Sequence, residues 1–215
     1  MNKSSDILKF NSNWKSTTID KVSDYVQRGK GPKYSDEIND YPVINQQCIH
    51  WEKINYKYIK YVKKDYWESL ESHRFLKPGD ILWNSTGTGT IGRASIFFPS
   101  EHQKVIVDGH ITIIRLEKNY NPLFLFYFIA SPYIQTEMEM IFSGSTDQVE
   151  LNLPKIKKTI IPDISIKDQN TIISKIKFFY ENYYKLNNSL INISEQKIKG
   201  KLQKLEKKFL LDSFK

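Results

Sequence analysis

The stretch LKPGDILWNSTGTGTIGR, residues 76–93, contains a turn, a short apolar run and a small-residue loop in direct succession. Lys77-Pro78-Gly79-Asp80 has turn chemistry, and Ile81-Leu82-Trp83 reads as a buried strand. The loop holds the spacing Gly87-x-Gly89-x-x-Gly92, which on paper is a dinucleotide fingerprint. That fingerprint needs a helix opening at its third glycine and a carboxylate roughly 20 residues on. Residues 93–99, RASIFFP, read as another strand, and Asp108 falls too early and Glu117 too late. The stretch is therefore read as a β-hairpin whose loop exposes Asn84, Ser85, Thr86, Thr88 and Thr90, with Arg93 at its exit. Hydroxyls, an amide and a guanidinium suit phosphates and base edges.

Outward from the hairpin, residues 104–107 and 110–116 read as strands, as do 41–44 and the Tyr/Lys-alternating run 56–62. Residues 16–29 are expected to form a short helix, with Ile19, Val22 and Val26 as its apolar face and Gly29 as its stop. A helix is expected to open at Pro122 and break at Ser131-Pro132, with a further helical piece over 133–141. Residues 143–148, SGSTDQ, make a second polar loop, in which Ser145, Thr146 and Gln148 are candidate contacts.

Beyond two prolines, Pro154 and Pro162, the chain changes character. Ser165 and Asp168 have capping-box spacing. Apolar residues then recur at heptad spacing: Ile172, Ile176, Phe179, Tyr183, Leu186, Leu190 and Ile193. The register slips once, and Ile198, Leu202, Leu205 and Phe209 resume it. This pattern predicts one helix of about 45 residues, roughly 70 Å long. Its stripe must be buried, either by folding back on its own domain or by pairing with another chain. Regular spacing favours pairing, in an antiparallel sense.

The formal net charge is +8, but residues 1–150 carry 18 basic and 18 acidic side chains, so the whole excess lies in 151–215. Any nucleic-acid contact in the first part must use local clusters. Two exist: Arg28, Lys30 and Lys33 around a Gly-Pro turn, and lysines 53, 57, 60, 63 and 64 interleaved with tyrosines 56, 58 and 61. One cysteine, Cys48, excludes a disulfide framework. Aromatics are abundant, which argues against disorder. The longest apolar run, 123–130, is far short of a membrane span, and residues 1–13 lack a secretory core, so the chain is expected in the cytoplasm.

Catalytic signatures are sparse. Ser131-Pro132-Tyr133 has one proline where an amino-methyltransferase loop needs two, and no phosphate loop exists. The histidines at 50, 73, 102 and 110 show no ligand spacing, so no metal is expected. His110 beside Asp108 has the makings of a general base, although a structural or DNA-contacting histidine fits better. A nuclease drawn from Pro162-Asp163 and Glu195-Gln196-Lys197 would place its second half on ordinary helix surface.

Taken together, the chain resembles one half of an HsdS-type specificity subunit of a type I restriction–modification methyltransferase. The resemblance rests on the Trp14-to-Gly29 opening, Pro78-Gly79-Asp80-Ile81-Leu82, Thr88-Gly89-x-x-Gly92-Arg93, and the helix after Pro122. It continues through Ser143-Gly144-Ser145-Thr146, Leu153-Pro154 leading to Ile161-Pro162, Gln169, and Lys207-Lys208-Phe209-Leu210-Leu211. It covers about residues 14–213, and the order of the motifs is more specific than any one of them. The resemblance implies an α+β fold. Residues 1–165 would be a globular target recognition domain with mixed sheet and short helices, and residues 166–215 one long coiled-coil spacer helix.

It also implies a chain without catalysis or a cofactor of its own, reading half of a bipartite site in double-stranded DNA. Its partners would be adenine methyltransferase subunits that bind S-adenosylmethionine, with room for a translocating restriction subunit. Such subunits usually have two recognition domains and two helices, whereas this chain, from Met1 to a terminus of the family's kind, shows one of each. A homodimer through the heptad residues is therefore expected. A piece of a longer chain, or a half that needs a different half, would read the same way. A coiled-coil adaptor with a protein-binding head, or a stand-alone nuclease, are the competing readings.

Overall fold

The computed structural model describes residues 11–51, 53–87, 89–143, 150–189 and 195–215, and side chains within these except those of 139–143, 184–189 and 195–202. The order of elements opens with β1 (Lys15–Thr18) and β2 (Ser23–Arg28), joined by a single 3-10 turn over Ile19–Val22. The helix expected over 16–29 is thus a strand–turn–strand. Ile19 and Val26 still face one core, as the spacing of apolar residues required, but the backbone bonds go elsewhere. β1 pairs with β10 (Ile160–Asp163), and β2 pairs with β9 (Ile111–Leu116). Sheet partners far along the chain override a weak local helical pattern.

β3 (Tyr34–Ser35), β4 (Pro42–Ile44), β5 (Lys60–Val62) and β8 (Ile106–Val107) form a small sheet in the order β3-β5-β4-β8, with β4 and β8 parallel. The first half of the 56–62 run is a 3-10 turn over Tyr56–Tyr58 rather than strand. β6 (Ile81–Asn84) and β7 (Ala94–Ile96) complete an antiparallel sheet in the order β2-β9-β6-β7. Successive side chains of a strand face opposite ways. Ile81 and Trp83 enter the core against α2 (Pro122–Ala130), while Leu82 enters a second core with Ile44, Phe97 and Val107. Burial on both faces explains why this strand reads as an unbroken apolar run.

The turn ahead of β6 is locked by charge. Asp80 is 1% exposed and accepts the Lys77 N–H at 2.8 Å. The Arg115 guanidinium, from β9, grips it with two bonds, Nε–Oδ1 2.8 Å and Nη2–Oδ2 2.6 Å. A bidentate pair of this kind fixes geometry as well as charge.

α1 (Lys64–Glu68) is short, and α3 (Pro132–Ser143) follows α2 after the expected break. Asn121 caps α2, accepting the Leu123 N–H at 2.9 Å. The Asn121 N–H donates in turn to the buried Gln169 at 2.8 Å, tying α2 to α5 (Ile166–Ser189). Ser165 caps α5, accepting the Asp168 N–H at its hydroxyl at 3.2 Å, while the same hydroxyl donates to the Asp168 carboxylate rather than leaving it to the Ser165 N–H. Pro154 opens α4 (Leu153–Lys158), and only the stretch around Pro162 is extended, as β10.

The single long helix does not form. α6 (Glu195–Ser213) runs back along α5. The Phe179 and Phe209 rings stack 4.0 Å apart, whereas a continuous helix would hold them about 45 Å apart. The Tyr180 hydroxyl donates to Glu206 at 2.7 Å. Ile172, Ile176, Leu210 and Phe214 are buried in the main core, and the Asn11 N–H bonds the Phe214 carbonyl at 2.9 Å. Heptad spacing states that a stripe is buried; among its described side chains, Ile172 and Ile176 are buried within the same chain, and Phe179 and Phe209 are half-buried against each other. Tyr183 and Leu205 line an open groove along the two helices, while the Leu186, Ile198 and Leu202 side chains, and residues Leu190 and Ile193, lie outside what is described. Among the described residues no helix is long and apolar enough to cross a membrane.

Candidate nucleic-acid interface

The register of the larger sheet gathers three connections at one end. Arg28 pairs with Thr112, Asn84 with Ile111, and Trp83 with Ala94. The turn after β2 (29–33), the hairpin loop after β6 (85–93) and the turn before β9 (108–110) therefore emerge side by side. Gly29 is where two of them cross. A Cβ there would overlap the carbonyls of Val107 and Asp108, so only glycine lets the backbones approach.

Beneath the surface lies a polar frame. Asn84 and Ser85 were expected to be exposed in the loop, but both are fully buried. The Asn84 amide donates to the Gln46 and Thr90 carbonyls at 3.0 and 3.1 Å, closing the loop on itself. Ser85 shares a hydrogen bond with Thr112 at 2.6 Å and reaches the Trp83 carbonyl. A buried polar group has to find partners, and the Asn84 amide N–H groups and the Ser85 hydroxyl find theirs in the Thr90, Gln46 and Trp83 carbonyls and the Thr112 hydroxyl. Asp108, 1% exposed, accepts the Tyr34 hydroxyl and the His110 N–H, each at 2.9 Å. Burial pushes its carboxyl above the usual range, against the opposing pull of these bonds.

Above this frame stand the groups free to touch a ligand. Thr86 Oγ1 and His110 Nδ1 are 2.6 Å apart, joining the hairpin loop to the turn before β9. The His110 carbonyl also receives the Ser85 N–H at 2.8 Å, so the imidazole sits on a backbone fixed at both ends. With Nδ1 engaged by Thr86, Nε2 is the ring's outward polar atom. Thr90 is half-buried and donates to the Gly87 carbonyl at 3.2 Å. Arg93 is half-buried at the loop exit, and among the described residues no carboxylate pairs with it. Lys30 and Lys33 are exposed on the neighbouring turn. The lysine-rich run joins the same edge, because β5 pairs with β3 and Lys60 lies over the Tyr34 ring at 4.3 Å.

Thr88, Ser145, Thr146 and Gln148 lie outside the described residues. The chain just after the second polar loop is nonetheless anchored here. The Leu151 N–H donates to the Ser85 carbonyl at 2.9 Å, and Glu150 pairs with Arg28. Sequence reasoning missed Gln46, whose side chain fills the space over Gly87 and takes the Thr90 hydroxyl at 3.4 Å. Gly87 has φ +106°, open to glycine but strained for other residues. No local motif marks Gln46; only the fold brings it there. Among the described residues no cluster of His, Cys, Asp and Glu could hold a metal. The other histidines are dispersed: His73 pairs loosely with Glu71 at 3.3 Å, and His50 stacks near Tyr58.

Comparison with solved structures decides the architecture. A chain from a structure of type I R-M system complex assembly and conformational transition superposes with a TM-score of 0.62 at 14% identity, over 96% of this chain and 47% of that one. The HsdS subunit from Thermoanaerobacter tengcongensis gives 0.60 at 16%, over 84% and 45%. The type I restriction-modification S subunit from M. genitalium gives 0.50 at 20%, over 86% and 44%. The chain has an HsdS-type fold. It spans less than half the length of each of these proteins. No family model and no curated protein sequence matches it. Within the HsdS-type fold, mixed antiparallel sheets and short helices occupy the region expected to be a target recognition domain.

Proposed function

We propose that this chain is a DNA sequence-specificity subunit of a type I restriction–modification system, without catalysis of its own. The observation that carries the reading is the convergence of three polar connections at one sheet end, in a chain of HsdS-type fold. Residues 1–165 act as the recognition domain and the α5–α6 pair as the spacer. Lys30, Lys33 and Arg93 hold backbone phosphates and set the register, while Thr86, Thr90 and His110 read base edges in the groove. Thr88 of the hairpin loop, and Ser145, Thr146 and Gln148 of the second polar stretch, are further readers. Methyl transfer to adenine belongs to a partner methyltransferase subunit carrying S-adenosylmethionine, and the assembly leaves room for a restriction subunit.

The chain works as a homodimer. A groove of about 960 Å³ lies along α5 and α6, lined by Ile172, Phe179, Tyr183 and Phe209. On its rim Phe178 is 68% and Leu205 49% exposed, an apolar surface that a second copy would cover. Isologous pairing makes both recognition domains identical, so the DNA site is an interrupted palindrome.

The test is co-expression with a type I methyltransferase subunit and genome-wide mapping of methylated adenines. An interrupted palindrome appearing only with this chain supports both role and symmetry. An asymmetric bipartite site keeps the role and removes the homodimer. No new methylation removes the role.

A further inference from the structure

We propose that Gln46 is a base-reading residue of the loop cluster, and that its side-chain amide takes the N6/N7 edge of an adenine in the major groove of duplex DNA. The inference rests on the DNA-reading assignment above and adds to it a residue and the base it selects.

Gln46 reaches the cluster from a fourth connection. β4 runs parallel to β8, and the Asp108 N–H donates to the Ile44 carbonyl at 3.0 Å. The 3-10 turn over Gln46–Cys48 therefore leaves the small sheet beside the turn that carries His110. Its backbone is firmly held. Asn45, 4% exposed, accepts the Gln47 N–H at 2.8 Å and donates to the Tyr58 carbonyl. The Gln46 carbonyl in turn accepts from the buried Asn84 amide. The main chain of Gln46 thus belongs to the polar frame, and its side chain does not.

The half-buried side chain lies over Gly87, where a Cβ would overlap its amide. Beside it the Thr90 hydroxyl has one proton and two acceptors within reach, the Gly87 carbonyl at 3.2 Å and Gln46 Oε1 at 3.4 Å. This contact aligns the amide without using it up. An amide oxygen carries two lone pairs, and the NH2 group two donors. One lone pair remains on Oε1, and Nε2 has no acceptor among the described residues. An acceptor and a donor stand side by side, the pair that the N6–H and N7 of adenine complement. The neighbouring amides are not in this state. Asn84 spends its amide N–H groups on carbonyls inside the frame, and Gln47 is exposed, with no side-chain hydrogen bond among the described residues to hold it. An amide fixed in place with its donor unspent is preorganised for a base contact.

The experiment maps methylated adenines genome-wide with the full chain co-expressed with a type I methyltransferase subunit, for the wild type, Gln46→Ala, Gln46→Glu and Thr90→Val. Melting temperatures of the purified full chains are measured alongside. In Gln46→Ala one fixed A·T pair of the recognised motif, other than the methylated one, should become degenerate. Discrimination at that pair, read as the ratio of methylation at matched and substituted sites, should fall by about 5- to 150-fold. Gln46→Glu keeps the shape and Oε1 but loses the donor, and should move the same position toward cytosine, whose N4–H a carboxylate accepts. Thr90→Val keeps the amide but removes its alignment, and should relax the same pair less. Tm should stay nearly unchanged in both Gln46 variants, because Asn84 bonds the main chain there. A motif unchanged in both Gln46 variants overturns the inference and leaves the DNA-reading assignment standing. Degeneracy at a G·C pair overturns the adenine. Methylation lost at every site together with a lowered Tm makes Gln46 a filler of the loop and overturns its reading role. No methylation with the wild-type chain removes the DNA-reading assignment and this inference with it.

Discussion

The Phe179 ring lies flat against Phe209, with centroids 4.0 Å apart and planes 7° from parallel. These residues belong to the two halves of an apolar stripe that sequence spacing joins into one helix. Their stacking makes α5 and α6 an antiparallel pair within one chain. It also turns Phe178 and Leu205 outward, as the apolar rim of a groove.

Phe178→Glu combined with Leu205→Glu should convert a dimer to a monomer, because each glutamate would have to enter an apolar contact without a partner charge. Light scattering after size exclusion reads the mass, and circular dichroism should show an unchanged fold. A mass that does not move removes this surface from the dimer.

Thr86→Val and His110→Ala should both relax recognition at the same base pair. Thr86 engages Nδ1 and thereby directs Nε2 outward, so the two act as one reading element. Loss of a good base contact is expected to cost ~1–3 kcal/mol of discrimination at one position. Competition binding with single-base-substituted duplexes measures it. A loss that is uniform over all sequences would make the pair a phosphate contact instead.

Asp108 should make the fold less stable as pH rises. Burial raises its carboxyl above the unfolded value, so between the two the folded state holds more protons. The stabilising contribution is present below the unfolded pKa, near pH 4, and is lost as pH rises through the folded one. Asp108→Asn keeps an acceptor for the His110 N–H and removes this titration. Urea midpoints from about pH 4 to 7 should therefore slope less in the variant; equal slopes would place the effect on other groups.

Asp80→Ala should destabilise the chain by about 3–5 kcal/mol, since it leaves the Arg115 guanidinium, 13% exposed, without its counter-charge. Chemical denaturation measures the loss. Arg115→Met in the same background should recover part of it by removing the stranded charge; no recovery would mean that the carboxylate acts mainly through the Lys77 turn.

What could be read beforehand was what the local chain settles by itself. Ile81-Leu82-Trp83, the run 111–116 and the Asn121-Pro122 start have strong local signals, and each forms the element expected. The 16–29 segment does not, because its apolar spacing suits a helix and a strand–turn–strand equally, and its strand partners lie about 90 and 145 residues away. The loop 84–93 was legible as polar and small, but not which of its members face inward. That depends on Thr112 and Gln46, which approach only through the sheet. Gln46 carried no pattern at all. Heptad spacing, finally, is silent on which partner buries a seam.

The separation between the buried frame of Asn84, Ser85 and Asp108 and the groups above it has an evolutionary meaning. The frame holds the loop ends whichever side chains stand at 86, 90 and 110. Substitution at those three positions touches neither core, so a new target sequence can arise through surface exchanges that leave folding nearly neutral. On the function proposed above, such a chain would keep its scaffold while its vocabulary drifts.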